Sequence, residues 1–173
     1  MIACVDVWYA DDGSYATAAC VLLSSFEDPP TSGITVRCEG PLQPYAPGAL
    51  YLRELPCILN VLGRIGDRLE TIVVDGYAWL DAGCSCAGLG AHVWHATGVP
   101  TIGVAKTEFR GMAAAARILR GRSCRPLFVT SAGTRQDVAA ANIISMHGAH
   151  RLPDALRMVD ALSRRPDGTP AQI

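Results

Sequence analysis

The period of the apolar pattern switches after the first forty residues, and that switch constrains the fold more than any other feature of the chain. Residues 2–9 alternate apolar with small or acidic positions, and Tyr15 to Leu23 forms a second apolar run. Between them Asp11-Asp12-Gly13 is a strong turn signal, which predicts a hairpin. Pro29 to Gly33 interrupts the chain before a third strand, Ile34 to Cys38, so the opening third predicts three antiparallel strands. From Ala49 to Leu69 apolar residues instead recur at helical spacing (Leu52, Leu55, Ile58, Leu59, Leu62, Ile65), following Pro47-Gly48. A β-branched run, Thr71 to Val74, ends on Asp75-Gly76, and a helix around Gly88 to Thr97 leads to a strand from Val99 to Ala105. Strand, helix, strand predicts parallel pairing. A short strand over Pro126 to Thr130 and helices over Arg135 to Met146 and Pro153 to Ser163 complete the pattern. The expected class is α/β: a mixed sheet of three antiparallel strands followed by parallel strands, with helices on both faces. One domain over residues 1–165 and a flexible C-terminal tail over 166–173 are expected.

At 173 residues the chain is long enough to bury a core without disulfides or a structural metal. Half of it is hydrophobic, yet no run approaches the ~20 apolar residues of a membrane helix. The opening Met1-Ile2-Ala3-Cys4-Val5-Asp6 has neither the basic region nor the long apolar stretch of a secretion signal. The seven cysteines are odd in number, and Cys4, Cys20, Cys38 and Cys57 lie inside apolar runs. They read as reduced thiols of a cytoplasmic protein. A formal charge of -1 argues against a histone-like binder, although Arg110, Arg117, Arg120, Arg122 and Arg125 form one local basic cluster. That cluster suits either a phosphate backbone or an ordinary solvated surface.

Two acids occupy costly positions. Asp6 sits inside the first strand between Val5 and Val7, and Asp75 closes the fourth directly before a glycine. If these strands are neighbours the carboxylates face one another, an arrangement a hard cation such as Mg2+ or Mn2+ would relieve. Glu54 and Asp160 are further acids in apolar surroundings. Lys106, the only lysine, ends the strand Thr101 to Ala105, where it would neutralise a phosphate or position attacking water.

Read in order, these pieces resemble the endonuclease V family. The resemblance is carried by Val5-Asp6-Val7 with Tyr9, Pro44-Tyr45-Ala46-Pro47-Gly48, Leu52-Arg53-Glu54-Leu55-Pro56, Val74-Asp75-Gly76 and Pro100 to Lys106. It continues through Pro126 to Thr130 and Arg151-Leu152-Pro153 to Asp160, nearly the whole chain. It implies a ribonuclease H-like fold and a divalent-metal centre, Mg2+ with Mn2+ as substitute, held by Asp6, Glu54, Asp75 and Asp160, with Lys106 as the active-site lysine. It further implies hydrolysis of DNA or RNA one nucleotide beyond inosine, leaving 3′-hydroxyl and 5′-phosphate ends. Tyr45, Pro47 and Gly48 would form the wedge that separates strands, with Gly76 beside the lesion base. A monomer is expected.

The chain departs from the family pattern after Asp75-Gly76, where a glycine and His-Pro-Arg are usual. Here the segment runs from Tyr77 to His92 without that motif and is slightly longer, and the stretch between Lys106 and Cys124 is shorter. Cys84 and Cys86 read as reduced loop thiols in preference to a zinc site with His92 and His95. Two other readings keep the same acids: a homologue acting on a nucleotide or other small molecule, and a non-catalytic nucleic-acid-binding module.

Overall fold

In the computed structural model, residues 1–39, 50–66, 68–109 and 114–165 are described. Strands β1 (Ile2–Tyr9), β2 (Tyr15–Leu23) and β3 (Ser32–Glu39) are the expected antiparallel meander, and Gly13 takes the left-handed conformation its turn requires (φ 69°). Then follow α1 (Leu50–Leu62), β4 (Thr71–Asp75), α2 (Leu89–Thr97), β5 (Thr101–Ala105), β6 (Ala116–Ile118), β7 (Leu127–Ala132), α3 (Gln136–Ser145) and α4 (Asp154–Ser163). The seven strands form one sheet in the order β3-β2-β1-β4-β5-β7-β6. β1, β4 and β5 are parallel neighbours, as strand–helix–strand spacing predicts.

Three expectations are corrected. β7 pairs antiparallel with β5, so the run of parallel strands ends there. The edge strand β6, only three residues long, was not anticipated. The helix expected to reach Leu69 stops at Leu62, where Gly63 and Arg64 close it on the carbonyls of Leu59 and Val61. Ile65 and Leu69 still pack against the same apolar cluster, which is why the helical spacing persists past the helix.

Alternation along the strands splits the core in two. Ala3, Val5, Val7, Ile72 and Val74 face α1 and α2, where Ile58, Val61, Leu89 and Val93 meet them. Cys4, Val73, Ile102 and Val104 face α3 and α4, against Ile143, Leu156, Val159 and Leu162. Asp6 and Asp75 belong by parity to this second face. The register Val5↔Val74 sets them side by side, one residue beyond the last paired positions.

Gly103 lets β5 lie under the turn that follows Asp75. A Cβ there would stand 2.5 Å from the Ala78 nitrogen and 2.6 Å from the Gly76 oxygen, both backbone atoms that cannot give way. Gly103→Ala is expected to cost about 2 kcal/mol, roughly 6 °C in Tm, by thermal unfolding. Gly66→Ala, with open space around it, should be near neutral.

Candidate metal and nucleic-acid site

The ends of parallel strands in open α/β sheets are where ligands gather, because side chains leaving neighbouring strands converge there. β1 delivers Asp6, β4 delivers Asp75, and β5 delivers Lys106 one residue beyond its end. Lys106 Nζ donates to Asp75 Oδ2 at 2.6 Å, a half-exposed ion pair. Burial alone would pull the Lys106 ammonium down, but the Asp75 hydrogen bond and the negative charges of Asp75, Asp160 and Asp6 outweigh it and hold the pKa above the usual range.

Two clefts meet at Asp6, Asp75 and Lys106. The larger, about 580 Å³, is also lined by Glu54 and Tyr51 of α1, by Tyr77, Leu80 and Leu89, and by Glu108 and Phe109. The smaller is a narrow crevice against α4, bordered by Leu156, Val159 and Asp160. Glu54 and Asp160 thus approach the same strand ends from opposite sides of the sheet. Burial raises the Glu54 carboxyl from its ordinary 4.5 to about 8, with Asp6 and Asp75 adding repulsion and Arg53 opposing. Asp6 is raised as well, by burial first and by the charges of Asp75 and Asp160, while a hydrogen bond from Ser163 acts the other way.

Chemically this donor set fits a hard divalent cation: all four acids are carboxylates, and their charge is met only in part, by Lys106 on Asp75, by Arg164 on Asp160 at 3.0 Å and by Arg53 near Glu54. Among the described residues no three His, Cys, Asp or Glu side chains are brought together as a group that could hold a metal ion. Asp75 is paired with the Lys106 ammonium.

The supporting residues were less visible from sequence. Ser163, fully buried, donates to Asp6 Oδ2 at 2.8 Å. A serine on the apolar face of α4, three residues after Asp160, was the signal available. The Tyr77 hydroxyl donates to the Thr107 carbonyl and accepts from the Phe109 N–H, both at 3.0 Å, bracing the segment that follows Lys106. The Arg151 guanidinium donates to the carbonyls of Lys106 (2.5 Å) and Pro126 (2.7 Å). Gly76 lines the large cleft with φ 134°, a conformation that disfavours any side chain.

Other candidates part company. Tyr45, Pro47 and Gly48 lie outside the described residues, as do Arg110 and the tail 166–173. The basic cluster divides, because Arg120 is buried and donates to the carbonyls of Ile144, Met146, Gly148 and His150, closing the turn after α3. The Arg120 guanidinium is a structural clamp with no phosphate to meet. His92 stacks on Tyr51 with ring centroids 3.6 Å apart, and His95 packs against Trp79 and Trp94. Neither histidine joins Cys84 and Cys86 in a metal group among the described residues. The loop carrying those cysteines is pinned by Asp81, which accepts from the backbone N–H groups of Ser85 (2.9 Å) and Cys86 (2.6 Å).

A family model described as Endonuclease V matches residues 1–117. The chain belongs to the endonuclease V family. It is 35% identical to the endonuclease V of Streptomyces avermitilis over 93% of this chain and 78% of that one. It is 32% identical to that of Xanthomonas oryzae, over 99% and 79%. The crystal structure of the S. avermitilis endonuclease V superposes with a TM-score of 0.79 at 28% identity, covering 94% of this chain and 79% of that one. The Ciona intestinalis endonuclease V, solved in complex with a 23mer DNA containing an inosine followed by a ribo-adenosine, shares the fold with a TM-score of 0.80 at 19% identity, over 94% and 83%. The architecture is therefore ribonuclease H-like, as endonuclease V structures are.

The raised Glu54 carboxyl makes the stability of this family member depend on pH. The folded state binds a proton more tightly than the unfolded one, so Glu54 favours folding least when ionised. Without divalent ions, stability should fall as pH rises from about 4.5 through about 8, with Asp6 adding in the same sense. Thermal unfolding in EDTA across that range should show the decline, and Glu54→Gln should flatten it and be the more stable form above pH 8.

Proposed function

We propose that this member of the endonuclease V family is a divalent-metal-dependent endonuclease that hydrolyses a phosphodiester bond near a deaminated purine, inosine, in DNA or RNA. The observation carrying this reading is the gathering of Asp6, Glu54, Asp75 and Asp160 around Lys106 at the two clefts. Asp6 and Asp75 would be the principal ligands of a Mg2+ or Mn2+ ion, with Glu54 and Asp160 orienting water or a second ion. The ion supplies Lewis-acid polarisation of the phosphate and makes water a better nucleophile at neutral pH.

The chain's own residues do the rest. The Lys106 ammonium, half exposed beside Asp75, opposes the negative charge that builds on the phosphate during displacement. Arg151 and Tyr77 hold its backbone and the segment beyond it from two directions. The wall of Tyr51, Tyr77, Leu80 and Phe109 excludes water on one side of the cleft and offers flat apolar surface to a base removed from its stack. Phe109 is 40% exposed, at the disposal of such a ring. Glu54, whose carboxyl burial raises to about 8, would hold water through its carboxylate oxygens where a cation's charge favours the ionised form.

The test is cleavage of end-labelled single- and double-stranded DNA and RNA, each with and without one inosine, in Mg2+ or Mn2+. Cutting one nucleotide beyond inosine is expected, abolished by EDTA and reduced by about a hundredfold or more in Asp75→Asn. Metal-dependent hydrolysis of a free nucleotide with no cutting of polymers would instead favour a small-molecule substrate. Binding with no hydrolysis under any condition would favour a non-catalytic module.

A further inference from the structure

Ser163 is the last residue of α4, and its side chain is completely buried. Its Oγ lies 2.8 Å from Asp6 Oδ2 and 2.9 Å from the Asp160 carbonyl oxygen. A hydroxyl has one proton, and an ionised carboxylate can only accept. With Asp6 ionised, the charged acceptor takes the proton, since hydrogen bonds to charged groups are the stronger kind. Among the described residues Ser163 is the only hydrogen-bond donor to Asp6, and Oδ1 receives none.

Ser163 is also held without freedom to turn away. Leu156, Val159 and Leu162 seat α4 in the core. A Cβ on Gly33 of β3 would come within 2.9 Å of Leu162, so the helix end sits directly on the sheet. The donor therefore comes from a rigid element and faces no competing bulk water.

We propose that Ser163 is a positioning residue that makes Asp6 offer a single oxygen to the divalent cation, and thereby sets which ion the centre accepts. The inference rests on the reading of Asp6 as a metal ligand. A small ion that insists on a compact octahedral shell, Mg2+ or Mn2+, takes one oxygen from each carboxylate, whereas Ca2+ with its larger shell readily takes both. Engaging Oδ2 favours the former and disfavours the latter. Metal-bound carboxylates commonly depend on such outer hydrogen bonds for their orientation.

The experiment is calorimetric titration of the whole protein with MnCl2 and, separately, CaCl2, without nucleic acid, for wild type and Ser163→Ala, Ser163→Cys and Ser163→Thr. Thermal unfolding in EDTA verifies that each variant is folded. Ser163→Ala should bind Mn2+ about tenfold more weakly while Ca2+ is unchanged or tighter, so the Mn2+ preference falls by about the same factor. Ser163→Cys, a weaker donor of similar size, should fall between, and Ser163→Thr should restore the preference. A purely structural serine would lower Tm without altering the ratio of the two affinities. An unchanged ratio in Ser163→Ala overturns the role of Ser163 alone, whereas a wild-type protein that binds neither ion overturns it together with the metal reading.

Discussion

Negative charge concentrated at the ends of two adjacent parallel strands is the constraint on which the rest of this structure depends. The β1–β4 register leaves Asp6 and Asp75 as neighbours, with Glu54 and Asp160 arriving from helices on opposite faces. Such a cluster opposes its own folding through repulsion and lost hydration. Within the described residues the opposition is met locally, by the Lys106 ammonium on Asp75, the Ser163 hydroxyl on Asp6, the Arg164 guanidinium on Asp160 and the proximity of Arg53 to Glu54. The proposed metal centre would account for acids that otherwise only cost stability.

The hardware for charge and the wall that would meet a base are built differently. The acids and Lys106 stand on or directly beside regular elements whose positions the core dictates. The wall draws on the segment after Asp75, through Tyr77 and Leu80. That segment is ordered by local devices: the Asp81 carboxylate capping the turn, the bridge between Trp79 and Ala87, and the Trp79 indole N–H on the Ser131 carbonyl at 3.0 Å. Ala78 at its start is tied to the Thr130 hydroxyl at 2.8 Å. A loop anchored this way can change its tip while the strand ends beneath it stay in place.

Most of the architecture was legible because its signals are local. The Asp-Gly turn, the β-branched runs and the helical spacing each announce one element, and the strand–helix–strand order fixes the parallel pairing of β4 and β5. The direction of β7 was not legible, since Pro126 to Thr130 is an apolar run with no helix before it to force a parallel return. β6 has too few residues to carry a pattern. The acids and the lysine were legible as charges in apolar surroundings. Ser163, Tyr77 and Arg151 were not, because a hydroxyl or guanidinium acting on a partner thirty or more positions away leaves no periodic trace. Arg120 misled for the converse reason: its charge looks free in a run of arginines, and only the fold reveals the four carbonyls around it.

The bond between Ser163 and Asp6 joins positions 157 residues apart, so the two ends of the described chain meet at the centre of the acid cluster. The first strand can pair with the second as soon as both leave the ribosome, but among the described residues Asp6 gains its donor only when α4 has been translated and has docked. Fragments that end before α4, by truncation or by interrupted translation, would carry Asp6 without Ser163 and Asp160. The arrangement makes the docking of α4 the step that brings the Ser163 hydroxyl to Asp6.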